Sequence, residues 1–177
     1  EGCGKFQWAR EFLKNAIEAN ATKVEFGLEW KAVKKLGVYR RMVADNGGGM
    51  TANELLRFFS TLGDGSKKIG TVHDNFGVGA KVASLPWNQN GLVVISYKNK
   101  QASMVWIFLD EDSGEYELVE FTGVEGNKTY VIDPYKIEED GVKWGEIAPD
   151  WIREHGTVAI FLGSGPYPDT ILGNPQA

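Results

Sequence analysis

The run Val38-Tyr39-Arg40-Arg41-Met42-Val43-Ala44-Asp45-Asn46-Gly47-Gly48-Gly49-Met50 carries a strand-like segment, Val38 to Ala44, onto one carboxylate and three glycines. Glycine has no Cβ and accepts positive φ, so Gly47 and Gly49 let backbone approach a flat ligand where another residue would clash. Asp45, held at the strand end, is placed to accept hydrogen bonds from an exocyclic amine. The plainer alternative is a glycine-rich β-turn capped by Asp45. The flanking stretches bear on which it is.

Upstream, Phe6 to Asn20 has the period of an amphipathic helix, with Ala9, Phe12, Leu13, Ala16 and Ile17 as its apolar stripe. Glu11 and Asn15 stand one turn apart on a neighbouring face, either pointing into one space or forming a solvated edge. Thr22 to Trp30 alternates as a half-buried strand, with Lys23, Glu25 and Glu29 on its polar side. Lys31 to Gly37 reads as a basic turn, which makes the pair an antiparallel hairpin. Downstream, Thr51-Ala52-Asn53-Glu54 is a capping box that starts a second helix running to about Leu62.

Gly63 to Gly79 is glycine-rich and polar, the composition of a mobile loop. It leads into Phe76-Gly77-Val78-Gly79-Ala80-Lys81, a glycine turn opening a short helix that Pro86 closes. Glycines at a helix start bare the first amides and suit an anion. The segment is not a Walker loop, which ends in Gly-Lys-Ser/Thr. Strands are expected over Leu92 to Lys98, Ala102 to Asp110, Tyr116 to Phe121, Thr129 to Ile132 and Val158 to Leu162. Asp133 to Arg153 reads as an irregular, acidic insertion, and the tail from Gly163 as a linker.

The composition is that of one globular domain: 177 residues, 42% hydrophobic and 24% charged. A net charge of -5 argues against this chain alone gripping nucleic acid or an anionic membrane. No apolar run approaches the roughly 20 residues of a spanning helix. One cysteine, Cys3, leaves no internal disulfide and points to a reducing compartment, the cytoplasm or a eukaryotic nucleus. With His73 and His155 the only histidines, a zinc site has almost no ligands to draw on. The first residue is Glu, as expected of a piece of a longer protein.

Four motifs in order, Glu11-x-x-x-Asn15, Asp45-x-Gly47-x-Gly49, Gly77-x-Gly79 and Gly156-Thr157, resemble those of the GHKL superfamily of ATP-binding domains. Its members include gyrase B subunits, heat-shock chaperones, histidine kinases and MutL proteins. The resemblance covers residues 6 to 163 and implies an α+β, two-layer sandwich: a mixed, mostly antiparallel sheet with helices on one face, the Bergerat ATP-binding fold. It implies one ATPase domain over residues 1–177, with an ATP lid over 63–79, an insertion over 133–155 and a tail over 163–177. By the same resemblance Asn15 is the Mg²⁺ ligand and Glu11 the general base. Asp45 reads adenine, Gly47 and Gly49 admit it, Met50 packs on it and Thr157 supports Asp45. Gly77, Val78 and Gly79 wrap the phosphates, with Lys81 adding charge. Lys67 and Lys68 either reach phosphate from the lid or stay solvated.

Phe76-Gly77-Val78-Gly79 and Ser66-Lys67-Lys68 are most similar to the chaperone, MutL and microrchidia branches. There ATP closes the lid and two protomers dimerise, so ATP, Mg²⁺ and a second copy are the implied partners. Those branches complete the site with a lysine or arginine from a following domain, and this chain ends before one. An ATP-binding switch without useful hydrolysis and a histidine-kinase catalytic domain remain the alternatives.

Overall fold

The computed structural model describes residues 6–60, 84–139 and 141–170. Six strands form one sheet in the order β1-β2-β10-β3-β4-β5. These are β1 Val24–Leu28, β2 Arg41–Asp45, β3 Leu92–Lys98, β4 Gln101–Leu109, β5 Tyr116–Leu118 and β10 Gly156–Phe161. Each pairing in it is antiparallel. The short strands β6 Phe121–Thr122, β7 Lys128–Thr129, β8 Glu138–Glu139 and β9 Val142–Lys143 make two separate ribbons. With the helices α1 Gln7–Glu18, α2 Trp30–Leu36 and α3 Ala52–Ser60, the architecture is α+β.

Alternation along the strands sends Val43, Leu92, Val94, Val105, Ile107, Ala159 and Phe161 to one face, which α1 and α3 cover. Trp8 and Phe12 of α1 stack edge-on against Phe161 at 5.3 and 5.5 Å, and Leu55 and Phe59 of α3 are buried there. Fully burying such side chains is worth roughly 1.5–3 kcal/mol each, so this seam dominates the seating of the helices. The capping box forms as its sequence suggests, with Thr51 N–H donating to Glu54 at 2.8 Å and Glu54 N–H to the Thr51 hydroxyl at 3.3 Å.

The other face of the sheet is not bare. Met42, Ala44, Val93, Ile95, Met104, Val158 and Ile160 pack beneath Phe121, Ile132, Val142, Trp144, Ile147 and Ile152. The expected insertion over 133–155 is therefore the cover of a second core, built from 3-10 turns and short ribbons. Arg40, 8% exposed, grips Glu139 with both terminal guanidinium nitrogens at 2.9 and 3.0 Å and ties this cover to the sheet.

Three local expectations change. Lys31 to Gly37 is largely helix α2, because Glu29 accepts the amides of Lys31 and Ala32 at 2.8 and 2.7 Å and caps it. Glu29 is thus buried beyond the end of β1 instead of lying on a polar strand face, and burial raises its carboxyl pKa. On α1 the inward stripe is Trp8, Phe12 and Ala16, while Leu13 and Ile17 are exposed. The strand expected over Thr129 to Ile132 stops at Thr129, and Ile132 bridges Met104 alone.

Candidate functional site

Strand register assembles the site. On the helix-covered face, Asp45 of β2 lies opposite Thr157 of β10, Thr157 opposite Ser96 of β3, and Ser96 opposite Ser103 of β4. One row inward the same strands present Val43, Ala159, Val94 and Val105. The apolar floor therefore gives way to a polar row at one end of the sheet, next to the Asp45–Met50 turn.

That turn is held from three sides. Asp45 Oδ1 accepts the Gly47 amide at 2.8 Å. Asn46 Oδ1 accepts the amides of Thr22 and Lys23, both at 2.8 Å, while its Nδ2 donates to the Thr22 hydroxyl. The Gly48 amide donates to Ala19 O at 2.9 Å, just past the end of α1. His155 Nδ1 lies 2.8 Å from the Gly47 carbonyl, which only accepts, so that nitrogen carries the proton.

Close packing explains the glycines in part. A Cβ on Gly49, at φ +67°, would fall 1.9 Å from the Tyr97 carbonyl, and one on Gly47 would meet Ala19 Cβ at 2.7 Å. Both glycines are thus already required by the protein's own packing, Gly49 by backbone and Gly47 chiefly by side-chain atoms, before any ligand. At Gly48 the nearest atom to an added Cβ is 3.9 Å away.

Burial raises the Asp45 carboxyl above its ordinary pKa, against the lowering effect of the Gly47 amide. Ser96 is fully buried and takes the Met50 amide at 2.7 Å, with Thr157 Oγ1 at 3.1 Å and the Gly156 carbonyl at 3.3 Å.

Of the residues singled out in the sequence, Asp45, Gly47, Gly49, Met50 and Thr157 come together here. Glu11 and Asn15 are half-buried on α1, and Glu11 accepts from Gln7 Nε2 at 2.9 Å. Asn15 precedes Ala19 by about one turn, about 6 Å along the axis, and Glu11 precedes Ala19 by about 12 Å. The helix thus leads from Glu11 past Asn15 to the turn. Gly77, Val78, Gly79 and Lys81, with Lys67 and Lys68, lie outside the described residues. Nothing in the local sequence singles out Ser103 or His155 as site residues. Ser96 had one signal, as a small polar residue inside the apolar run Leu92-Val93-Val94-Ile95 to Tyr97.

Among the described residues no group of three or more His, Cys, Asp or Glu could hold a metal by itself, and no helix is long and apolar enough to cross a membrane. The chain is similar to the 43K ATPase domain of Thermus thermophilus gyrase B, solved in complex with an aminocoumarin, with 17% identity and a TM-score of 0.47. That similarity covers 97% of this chain and 37% of the gyrase chain, so this chain spans well under half of that structure. No curated protein sequence matches. The family described as histidine kinase-, DNA gyrase B- and HSP90-like ATPase matches residues 9–131. The chain belongs to this ATPase family, whose members bind ATP.

Proposed function

We propose that this chain binds ATP together with Mg²⁺ and hydrolyses it, and that binding and turnover gate dimerisation of a larger protein. The observation that carries the reading is the row Asp45–Thr157–Ser96 beside the tightly held glycine turn. A carboxylate and a hydroxyl at the end of an otherwise apolar floor suit a flat base bearing an amine. Asp45 accepts from the adenine N6 amine, Met50 packs on the ring, and Gly47 and Gly49 keep the backbone low beside it.

Asn15 offers one amide oxygen, and no acidic cage surrounds it among the described residues. That fits Mg²⁺, which keeps several waters and takes its remaining ligands from phosphate. When bound, the ion neutralises charge on the phosphate oxygens. Glu11 takes the proton of the attacking water as its oxygen bonds to the γ-phosphorus. The bond from that phosphorus to the β,γ-bridging oxygen breaks, releasing ADP and phosphate. Gly77, Val78, Gly79 and Lys81 hold the phosphates.

Phosphate release from ATP by wild type and Glu11→Ala, each with and without Mg²⁺, tests this. Release by wild type only with Mg²⁺, reduced at least about a hundredfold in Glu11→Ala with ATP affinity kept, is expected. Binding without release in either protein would leave an ATP-gated switch and remove the hydrolase.

A further inference from the structure

Resting on the nucleotide reading above, we infer that Ser96 is a positioning residue that holds the Thr157 hydroxyl as a hydrogen-bond acceptor, and so makes the site prefer a 6-amino to a 6-oxo purine. A serine hydroxyl has one hydrogen and two lone pairs. Ser96 Oγ has three neighbours: the Met50 amide at 2.7 Å, the Gly156 carbonyl at 3.3 Å and Thr157 Oγ1 at 3.1 Å. The amide can only donate and the carbonyl can only accept. The Ser96–Thr157 contact admits either donor; the assignment inferred here puts the Ser96 hydrogen on the Gly156 carbonyl, which leaves a Ser96 lone pair facing Thr157 and makes Thr157 the donor. Thr157 then has lone pairs alone to offer elsewhere.

Four backbone donors of the turn are also committed inside the protein. The Asn46 amide goes to Lys23 O, Gly47 to Asp45, Gly48 to Ala19 O and Met50 to Ser96. Asp45, when ionised, and Thr157 therefore form a wall of acceptors. An amine satisfies such a wall. A 6-oxo group brings an oxygen to the same place and meets no hydrogen from either residue, the costly case of an unpaired buried acceptor.

Removing the Ser96 hydroxyl releases the Thr157 hydrogen, which can then turn to a 6-oxo group. The test is the ratio of ATP to inosine triphosphate affinity, measured by calorimetry near neutral pH on the whole chain. Wild type should favour ATP. Ser96→Ala should cut the ratio at least about tenfold, and Ser96→Thr, which keeps the hydroxyl, should restore it. Thr157→Val is a second route that does not depend on how well Ser96→Ala folds. An acceptor-only Thr157 partners the 6-amino group and opposes the 6-oxo group, so Thr157→Val weakens ATP more than inosine triphosphate and lowers the ratio. A ratio unchanged in a folded Ser96→Ala, or not lowered in Thr157→Val, would overturn the role of Ser96 while the nucleotide site stands. Wild type binding neither nucleotide would overturn the site and this inference together.

Discussion

Thr157 lies directly across from Asp45 in the β2–β10 ladder, and both side chains emerge on the helix-covered face where the apolar floor ends. Two distant segments thereby form one wall. Asp45 arrives at the end of β2 and Thr157 at the start of β10, 112 positions apart in sequence. That pairing gives the Asp45 carboxyl a neighbour able to share a ligand with it.

With Asp45 as the proposed reader of adenine, its raised pKa should give ATP binding a pH dependence. A carboxylate that accepts from an amine must be ionised, and burial makes ionisation harder than the ordinary aspartate value of 3.8 implies. ATP affinity should therefore weaken on acidification at a pH above the ordinary aspartate value of 3.8. Asp45 also stays protonated to higher pH when folded than unfolded. Its contribution to stability consequently declines as pH rises from about its unfolded value through its folded one. Titrating ATP into the protein across this range, beside a Thr157→Val control that keeps Asp45, checks the binding trend.

Gly49→Ala should unfold the turn while Gly48→Ala should not. A non-glycine residue at φ +67° costs roughly 1–2 kcal/mol, and the 1.9 Å approach to the Tyr97 carbonyl requires the backbone to move as well. A total above about 2 kcal/mol is expected for Gly49→Ala. Gly48 has room, so its substitution should change stability by less than about 1 kcal/mol. Denaturant unfolding of the two variants, side by side, measures the difference.

Glu139→Ala should be much more destabilising than Glu154→Ala. Arg40 is 8% exposed and loses its bidentate partner in the first variant, leaving a nearly buried guanidinium. Breaking a buried pair costs about 3–5 kcal/mol, and since the Glu139 side chain is 35% exposed, about 1–3 kcal/mol is expected here. The Lys100–Glu154 pair stands in solvent and contributes about 0–1 kcal/mol. Thermal unfolding of both variants ranks them.

Thr51→Ala should cost about 1 kcal/mol by removing the hydroxyl that caps α3. Glu54 would keep Lys98 at 2.8 Å, so the helix should fray at its start without detaching. Amide exchange at Asn53 to Leu55 would report the fraying, and unchanged protection there would remove the cap from the account of α3.

Local signals carried the elements that could be read from sequence. The period of Phe6 to Asn20, the Thr51–Glu54 box and the apolar runs of β3, β4 and β10 each lie within a few residues. What escaped depends on distant partners. Leu13 and Ile17 belong to the apolar pattern of α1, yet Phe161 and Phe26 select Trp8 and Phe12 as the inward line. Helix α2 hid behind a glutamate cap, a residue outside the usual set of Ser, Thr, Asp and Asn. Ser96 could not be placed beside Thr157 without the β3–β10 register, 61 positions apart. The glycines of the turn were legible as glycines, but Tyr97 O and Ala19, the atoms that demand them, were not.

The most direct measurement is a calorimetric titration of ATP with Mg²⁺ into the wild-type chain and into Asp45→Asn at neutral pH. Saturable one-to-one binding by wild type, lost or weakened at least about a hundredfold in a folded Asp45→Asn, is the expected result. Equal affinity in the two proteins would contradict it, because the base would then be held somewhere other than the wall formed by Asp45 and Thr157.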